Sequence, residues 1–201
     1  MRAGVIIAGG RSARFGDEDK AVADLAGTPM VRRVADRIGG VVDELVVNCR
    51  DDQAEAVAAA FADGAFDPTL ALDETPDRGP MAGIATGLRA AEAEYAAVVA
   101  CDMPFVSPDL IDYLFSRAAG RDAAVPKPDE WFQPTQAVYR TAAMADACER
   151  TLARGERKVV EAVLELDHVV VDRAEVERHA PLRTFKNLNT RAEFEAVAAE
   201  F

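Results

Sequence analysis

The chain has 201 residues, 50% of them hydrophobic, and a formal net charge of −12 at pH 7; that length supports one good core and reads as a single domain over 1–201. The acidic balance argues against a nucleic-acid partner, which needs a basic face, although a local cation cluster and a divalent metal can still offset a nucleotide's phosphates. No apolar run approaches the ~18 residues of a membrane span, and the N-terminus lacks a basic region followed by a long apolar core and a cleavage site, so no membrane partner is expected and the expected location is the cytoplasm.

The apolar run Val5-Ile6-Ile7 predicts a buried first strand over Ala3–Ala8. Gly9-Gly10 ends it, and the cations Arg11, Arg14 and Lys20 follow. Glycine has no Cβ, so its backbone can bring N–H groups close to a ligand. Successive N–H groups form a concavity that favours anions, and Arg and Lys neutralise phosphate charge. Ala8 to Lys20 therefore reads as a phosphate-cradling loop, with a plain strand-to-helix turn and solvated charges as the alternative. Neither G-x-x-x-x-G-K-[ST] nor G-x-G-x-x-G occurs, so the loop is neither a Walker A loop nor a dinucleotide fingerprint.

Thr28-Pro29 predicts a helix opening, Thr as N-cap and Pro in the first turn. Met30, Val31, Val34 and Ile38 follow at helical spacing, and Gly39-Gly40 closes the element. Glu44–Cys49 reads as the second strand, with Asn48 near its end. Asp51–Phe61 reads as a helix and Thr69–Leu72 as a weak third strand leading to Asp73. Gly79-Pro80 marks a turn into a helix through Ala93, whose free N–H groups would face any nearby anion. Tyr95–Cys101 is a strong apolar strand ended by Asp102-Met103-Pro104. Ser107-Pro108 starts a helix through Ala118. Asp122–Val125 and Gln133–Tyr139 read as strands, Thr141–Leu152 and Lys158–Leu166 as helices, His168–Val171 as a strand, and Phe185–Leu188 as a brief extended piece. Thr190-x-x-Glu193 is a capping box for a final helix.

Strands alternating with helices imply a mostly parallel sheet covered on both faces. Ligands of such sheets bind beyond the carboxyl ends of the strands. Gly9, Gly10, Asn48, Asp73 and Asp102 all fall at or just after predicted strand ends. Asp102, held between an apolar run and a Pro turn, suits a Mg²⁺ site, because Mg²⁺ is commonly held by one or two carboxylates plus substrate phosphates; capping the following turn is its alternative role. Lys20 and Arg14 would then stabilise the transferring phosphorus and a pyrophosphate leaving group, chemistry in which the protein mainly positions groups and offsets charge.

Cys49, Cys101 and Cys148 are far apart and include no C-x-x-C, so they read as buried small apolar residues. His168 and His179 lack a partner spaced for a metal pair and read as structural or exposed. Only four of the 23 basic residues are lysine, and an acidic, lysine-poor surface suits a salt-rich cytoplasm.

Ile7-Ala8-Gly9-Gly10-Arg11-Ser12-Ala13-Arg14-Phe15-Gly16 with Asp19-Lys20 resembles the signature of nucleotidyltransferases that consume a nucleoside triphosphate and release pyrophosphate. Among these the chain most resembles the molybdenum cofactor guanylyltransferase (MobA) family. The likeness runs through Val46-Val47-Asn48, Asp73, Gly79-Pro80-Met81-Ala82-Gly83 and Cys101-Asp102-Met103-Pro104, then Pro134-Thr135, Gly155-Glu156-Arg157-Lys158-Val159 and Asn187-Leu188-Asn189-Thr190. It implies a Rossmann-like three-layer α/β/α fold of the nucleotide-diphospho-sugar transferase type. It also implies transfer of GMP from GTP to the molybdopterin cofactor, with Mg²⁺ as cofactor and a molybdenum-cofactor donor protein and a target oxidoreductase as partners. By that resemblance Ile7, Ala8, Gly9, Gly10, Lys20, Asn48, Asp73 and Asp102 bind GTP, Asp102 binds the metal, and Arg157, Lys158, Asn187 and Asn189 suit the acceptor. Arg14, Lys20 and Asp102 form the catalytic set.

Two departures stand out. Gln133 replaces the His that relatives often carry before Pro-Thr, and Gln cannot take a proton at neutral pH. Asp17-Glu18-Asp19 dilutes the positive loop, and its first two members are expected to point to solvent. A cytidylyltransferase, or a guanylyltransferase for a cobamide or phospholactate acceptor, would share the chemistry. A glycosyltransferase would carry Asp-x-Asp where this chain has Pro104, and a non-catalytic cofactor carrier would be expected to lose Lys20 or Asp102.

Overall fold

The computed structural model describes residues 1–10, 19–62, 64, 66–74 and 78–201. Arg11, Arg14 and the expectation for Asp17 and Glu18 lie outside the described residues.

The first strand, β1 (Arg2–Ile7), forms where the apolar run predicts it. A small hairpin, β2 (Asp24–Leu25) and β3 (Thr28–Pro29), precedes helix α1 (Met30–Ile38). This corrects the expected Thr28 cap: Thr28 pairs with Leu25 across a two-residue turn in which Ala26 and Gly27 both have positive φ, and α1 starts without a side-chain cap. Such mirror-image turns match the twist of paired strands. Next come β4 (Glu44–Cys49), a 3₁₀ turn at Asp51–Gln53, α2 (Ala54–Ala59), β5 (Thr69–Leu72) and α3 (Pro80–Ala90). The chain continues through β6 (Tyr95–Ala100), α4 (Pro108–Ala118), β7 (Ala123–Lys127), β8 (Gln136–Arg140), α5 (Thr141–Ala153) and α6 (Val159–Val163). It closes with β9 (His168–Asp172), α7 (Arg173–Glu177) and α8 (Arg191–Val197). Helix α7 was not expected, and Leu182–Phe185 forms a 3₁₀ turn where an extended piece was expected from Phe185.

Seven strands make one sheet in the order β5-β4-β1-β6-β8-β7-β9. All neighbours are parallel except β8, which runs antiparallel to both β6 and β7. Successive side chains on a strand face opposite ways. Ile6 therefore joins the core beneath α1, α2, α4 and α7, while Val5 and Ile7 join the core beneath α3, α5 and α6. A satellite cluster of Leu25, Met30, Leu188, Phe194 and Val197 docks α8 beside α1. The result is the three-layer, Rossmann-like α/β/α arrangement, with β1 flanked on both sides by parallel strands.

Candidate active site

A cleft of about 380 Å³ opens at the carboxyl edge of the sheet, around the end of β1. Ile7, Ala8, Gly9, Gly10, Lys20, Asn48, Asp73 and Asp102 all line it. These are the eight residues singled out for the nucleotide; the ends of four strands, β1, β4, β5 and β6, deliver seven of them, and Lys20 comes from the segment before β2. Backbone bonds fix the rim: Ala8 N–H donates to the Asn48 carbonyl at 2.8 Å, Asp73 N–H to Cys49 at 2.9 Å, and Cys101 N–H to Ile7 at 3.1 Å.

Asn48 is fully buried. Its Nδ2 donates to the Ala71 carbonyl at 3.0 Å and to Asp73 Oδ1 at 2.8 Å. These bonds leave its Oδ1 buried with no partner among the described residues. Gly9 passes so close to Asp73 that a Cβ there would stand 2.5 Å from Asp73 Oδ2. A side chain at position 9 would therefore displace the carboxylate from the rim.

On the other side of β1, Lys20 Nζ donates to Asp102 Oδ2 at 2.7 Å, with both side chains about 85% buried. Asp102 Oδ1 is buried and has no partner among the described residues. An orphaned carboxylate oxygen in a cleft fits a hard cation such as Mg²⁺, which takes oxygen ligands and shares them with phosphates. Among the described residues no group of three His, Cys, Asp or Glu side chains could hold a metal by itself. Cys101 also lines the cleft, but burial, then the Asp102 charge, pushes its thiol up to about 12. It stays protonated and is not a nucleophile near neutral pH.

The acceptor-side residues are less gathered. Arg157 and Lys158 are exposed at the start of α6, and neither is among the residues lining the cleft. Asn187 and Asn189 are exposed but flank the buried Leu188, whose N–H donates to the Asp102 carbonyl at 2.9 Å. The C-terminal segment is thereby tied to the Asp102 turn. Gln133 is half-buried, two residues before the cleft-lining Thr135.

Sequence reasoning quoted Thr135 as part of a motif without giving it a role, and missed Arg78 on the cleft wall and Arg50 and Gln53 behind it. It also missed the inward role of Asp19. Asp19 accepts from Ala21 N–H at 2.9 Å, from Arg50 at 3.4 Å and from Gln53. The signal available was position: Arg50 and Gln53 follow directly on β4, at the same sheet edge as Asn48.

A family model described as a MobA-like NTP transferase domain matches residues 4–172. The chain is 53% identical over 194 residues to a protein named probable molybdenum cofactor guanylyltransferase from Natronomonas pharaonis, covering 96% of this chain and 95% of that one. A protein of the same name from Haloferax mediterranei is 42% identical over 198 residues, covering 98% and 93%. Among solved structures, molybdopterin-guanine dinucleotide biosynthesis protein A from Archaeoglobus fulgidus superposes with a TM-score of 0.79 at 26% identity, covering 100% of this chain and 98% of that one.

Proposed function

Because the chain belongs to the MobA-like NTP transferase family, we propose that it transfers GMP from GTP to the molybdopterin cofactor, giving the guanine dinucleotide and pyrophosphate. The observation that carries this reading is a single cleft in which two glycine amides, a Lys–Asp pair and a buried Asn48 bonded to Asp73 converge. In the reaction, a terminal phosphate oxygen of the acceptor attacks the α-phosphorus of GTP. The bond from that phosphorus to the bridging oxygen of the β-phosphate breaks, and pyrophosphate leaves with the electron pair.

Gly9 and Gly10 cradle the triphosphate with their backbone N–H groups, and Lys20 offsets its charge. Arg14 supplies a second cation for the departing pyrophosphate. Ile7, Ala8, Asn48 and Asp73 line the nucleoside end. Asp102 would hold Mg²⁺, which supplies charge neutralisation on the phosphates. Lys20 anchors Oδ2 of that carboxylate and so leaves Oδ1 for the metal. Arg157 and Lys158 attract the acceptor's phosphate, while Asn187 and Asn189 contact it from the segment tied to Asp102. We assign the reaction to the cytoplasm, with a molybdenum-cofactor donor protein before it and a target oxidoreductase after it, as part of the same proposal.

The test is pyrophosphate release with Mg²⁺, molybdopterin cofactor and GTP, CTP or ATP in turn. Release with GTP alone is expected. Release with CTP alone would overturn the base assignment, and release with none would overturn the acceptor.

A further inference from the structure

We propose that Arg50 and Gln53 are positioning residues that set the polarity of the glycine loop, turning its carbonyls away from the cleft and its N–H groups toward a triphosphate. The inference rests on reading that loop as the triphosphate cradle. Gln53 Nε2 donates to the Ala8 carbonyl at 3.2 Å. Arg50 Nη1 donates to the Gly9 carbonyl at 3.2 Å and the Gly10 carbonyl at 3.1 Å. Three consecutive carbonyls are thus held on one side by two neighbouring side chains.

In a trans peptide the C=O and the following N–H point in opposite directions, and the described residues contain no cis bond. Fixing the Ala8 and Gly9 carbonyls therefore aims the N–H groups of Gly9 and Gly10 the other way. Neither N–H donates to another described residue, and both glycines line the cleft. Two adjacent unclaimed amides on one side form an anion-binding concavity.

The clamp is itself held. Arg50 Nη2 donates to Asp19 Oδ2 at 3.4 Å and to Asp52 Oδ2 at 3.3 Å, and Nε donates to Asp52 Oδ1 at 2.9 Å. Together with the two Nη1 bonds, these engage all five guanidinium N–H groups, leaving none for a ligand phosphate. Gln53 Oε1 accepts from Arg50 N–H at 2.9 Å, which locks the two residues together. Through Asp19 the same clamp reaches the residue before Lys20, so it grips the loop at both ends.

The experiment measures equilibrium binding of GTP and of guanosine to wild type, Arg50→Met and Arg50→Lys, with thermal melts on each. Loss of charge-assisted bonds to the loop should weaken GTP binding roughly 10- to 100-fold in Arg50→Met and leave guanosine binding unchanged. Arg50→Lys keeps the charge but not the fork, so it should lose most of the same affinity. Wild-type GTP affinity in Arg50→Lys would overturn the inference, since charge alone would then suffice. Equal weakening of GTP and guanosine would also overturn it, by showing a general loss of structure. Wild type that binds CTP or ATP instead of GTP would sink only the base assignment, and the clamp would be scored with that triphosphate and its nucleoside. Wild type that binds none of the three would overturn both readings.

Discussion

Gly83 is where helix α3 packs directly against Asn48 in the cleft wall, and Gly83→Ala should destabilise the protein although alanine is the better helix former. A Cβ at position 83 would fall on Asn48 Oδ1, closer than real Cβ atoms approach an oxygen, and 3.2 Å from Asn48 Cγ. Relief requires the carboxamide to rotate, which breaks its bonds to the Ala71 carbonyl and to Asp73. Leaving that buried amide unpaired costs about 1–3 kcal/mol, and overpacking adds about 1–3 kcal/mol. The helix propensity of alanine over glycine returns about 1 kcal/mol. A net loss of about 3 kcal/mol, at roughly 2–4 °C per kcal/mol for a domain of this size, lowers Tm by roughly 6–12 °C. Gly10→Ala is the control for stability, because a Cβ there meets nothing within 4 Å and its φ is not positive. Thermal melts of both variants, with GTP binding measured alongside, check the argument. A Gly83→Ala protein that melts at or above the wild-type temperature would refute it.

Asp102→Ala should cut turnover by roughly 10²–10³ or more, by analogy with loss of a transition-state contact, while far-ultraviolet circular dichroism stays native; near-normal activity would remove Asp102 from the metal site. Burial pushes the thiols of Cys49 up to about 11 and of Cys101 and Cys148 up to about 12, from an ordinary 9.0. The native state therefore binds more protons than the unfolded chain as pH rises past 9.0, so this stabilisation is complete below that value and is lost toward 11–12. Urea midpoints should fall across that window, and alanine at these three positions should flatten the fall; an equally steep fall in the triple variant would contradict the assignment. Finally, the net charge of −12 makes Tm rise with added KCl through screening of self-repulsion, and full stability in salt-free buffer would count against an origin in a salt-rich cytoplasm.

The strands that build the site were legible because their chemistry is local. Glu44–Cys49 and Thr69–Leu72 form where the apolar runs predict them, and the polar residue at or just after each strand end lines the cleft. Ser107 and Thr190 cap their helices as expected, accepting from Leu110 and Glu193 N–H respectively. Thr28-Pro29 misled because the same residue types suit a strand end. What decided the matter was the Ala26-Gly27 turn before them, which pairs Thr28 with Leu25. Helix α7 was overlooked although Asp172 and Glu175 form a capping box. Five residues between a strand and a turn carry too little periodicity to stand out. The Arg50 clamp was beyond local reasoning altogether. Its partners are backbone carbonyls some forty residues earlier, and carbonyls leave no mark in a sequence.

The most direct measurement of the central claim follows the label. GTP carrying radioactive phosphorus at the α position, incubated with the enzyme, Mg²⁺ and molybdopterin cofactor, should yield a labelled guanine dinucleotide, while label at the γ position should appear only in pyrophosphate. Label at the α position that remains in GMP or GDP, with no dinucleotide formed, would contradict guanylyl transfer.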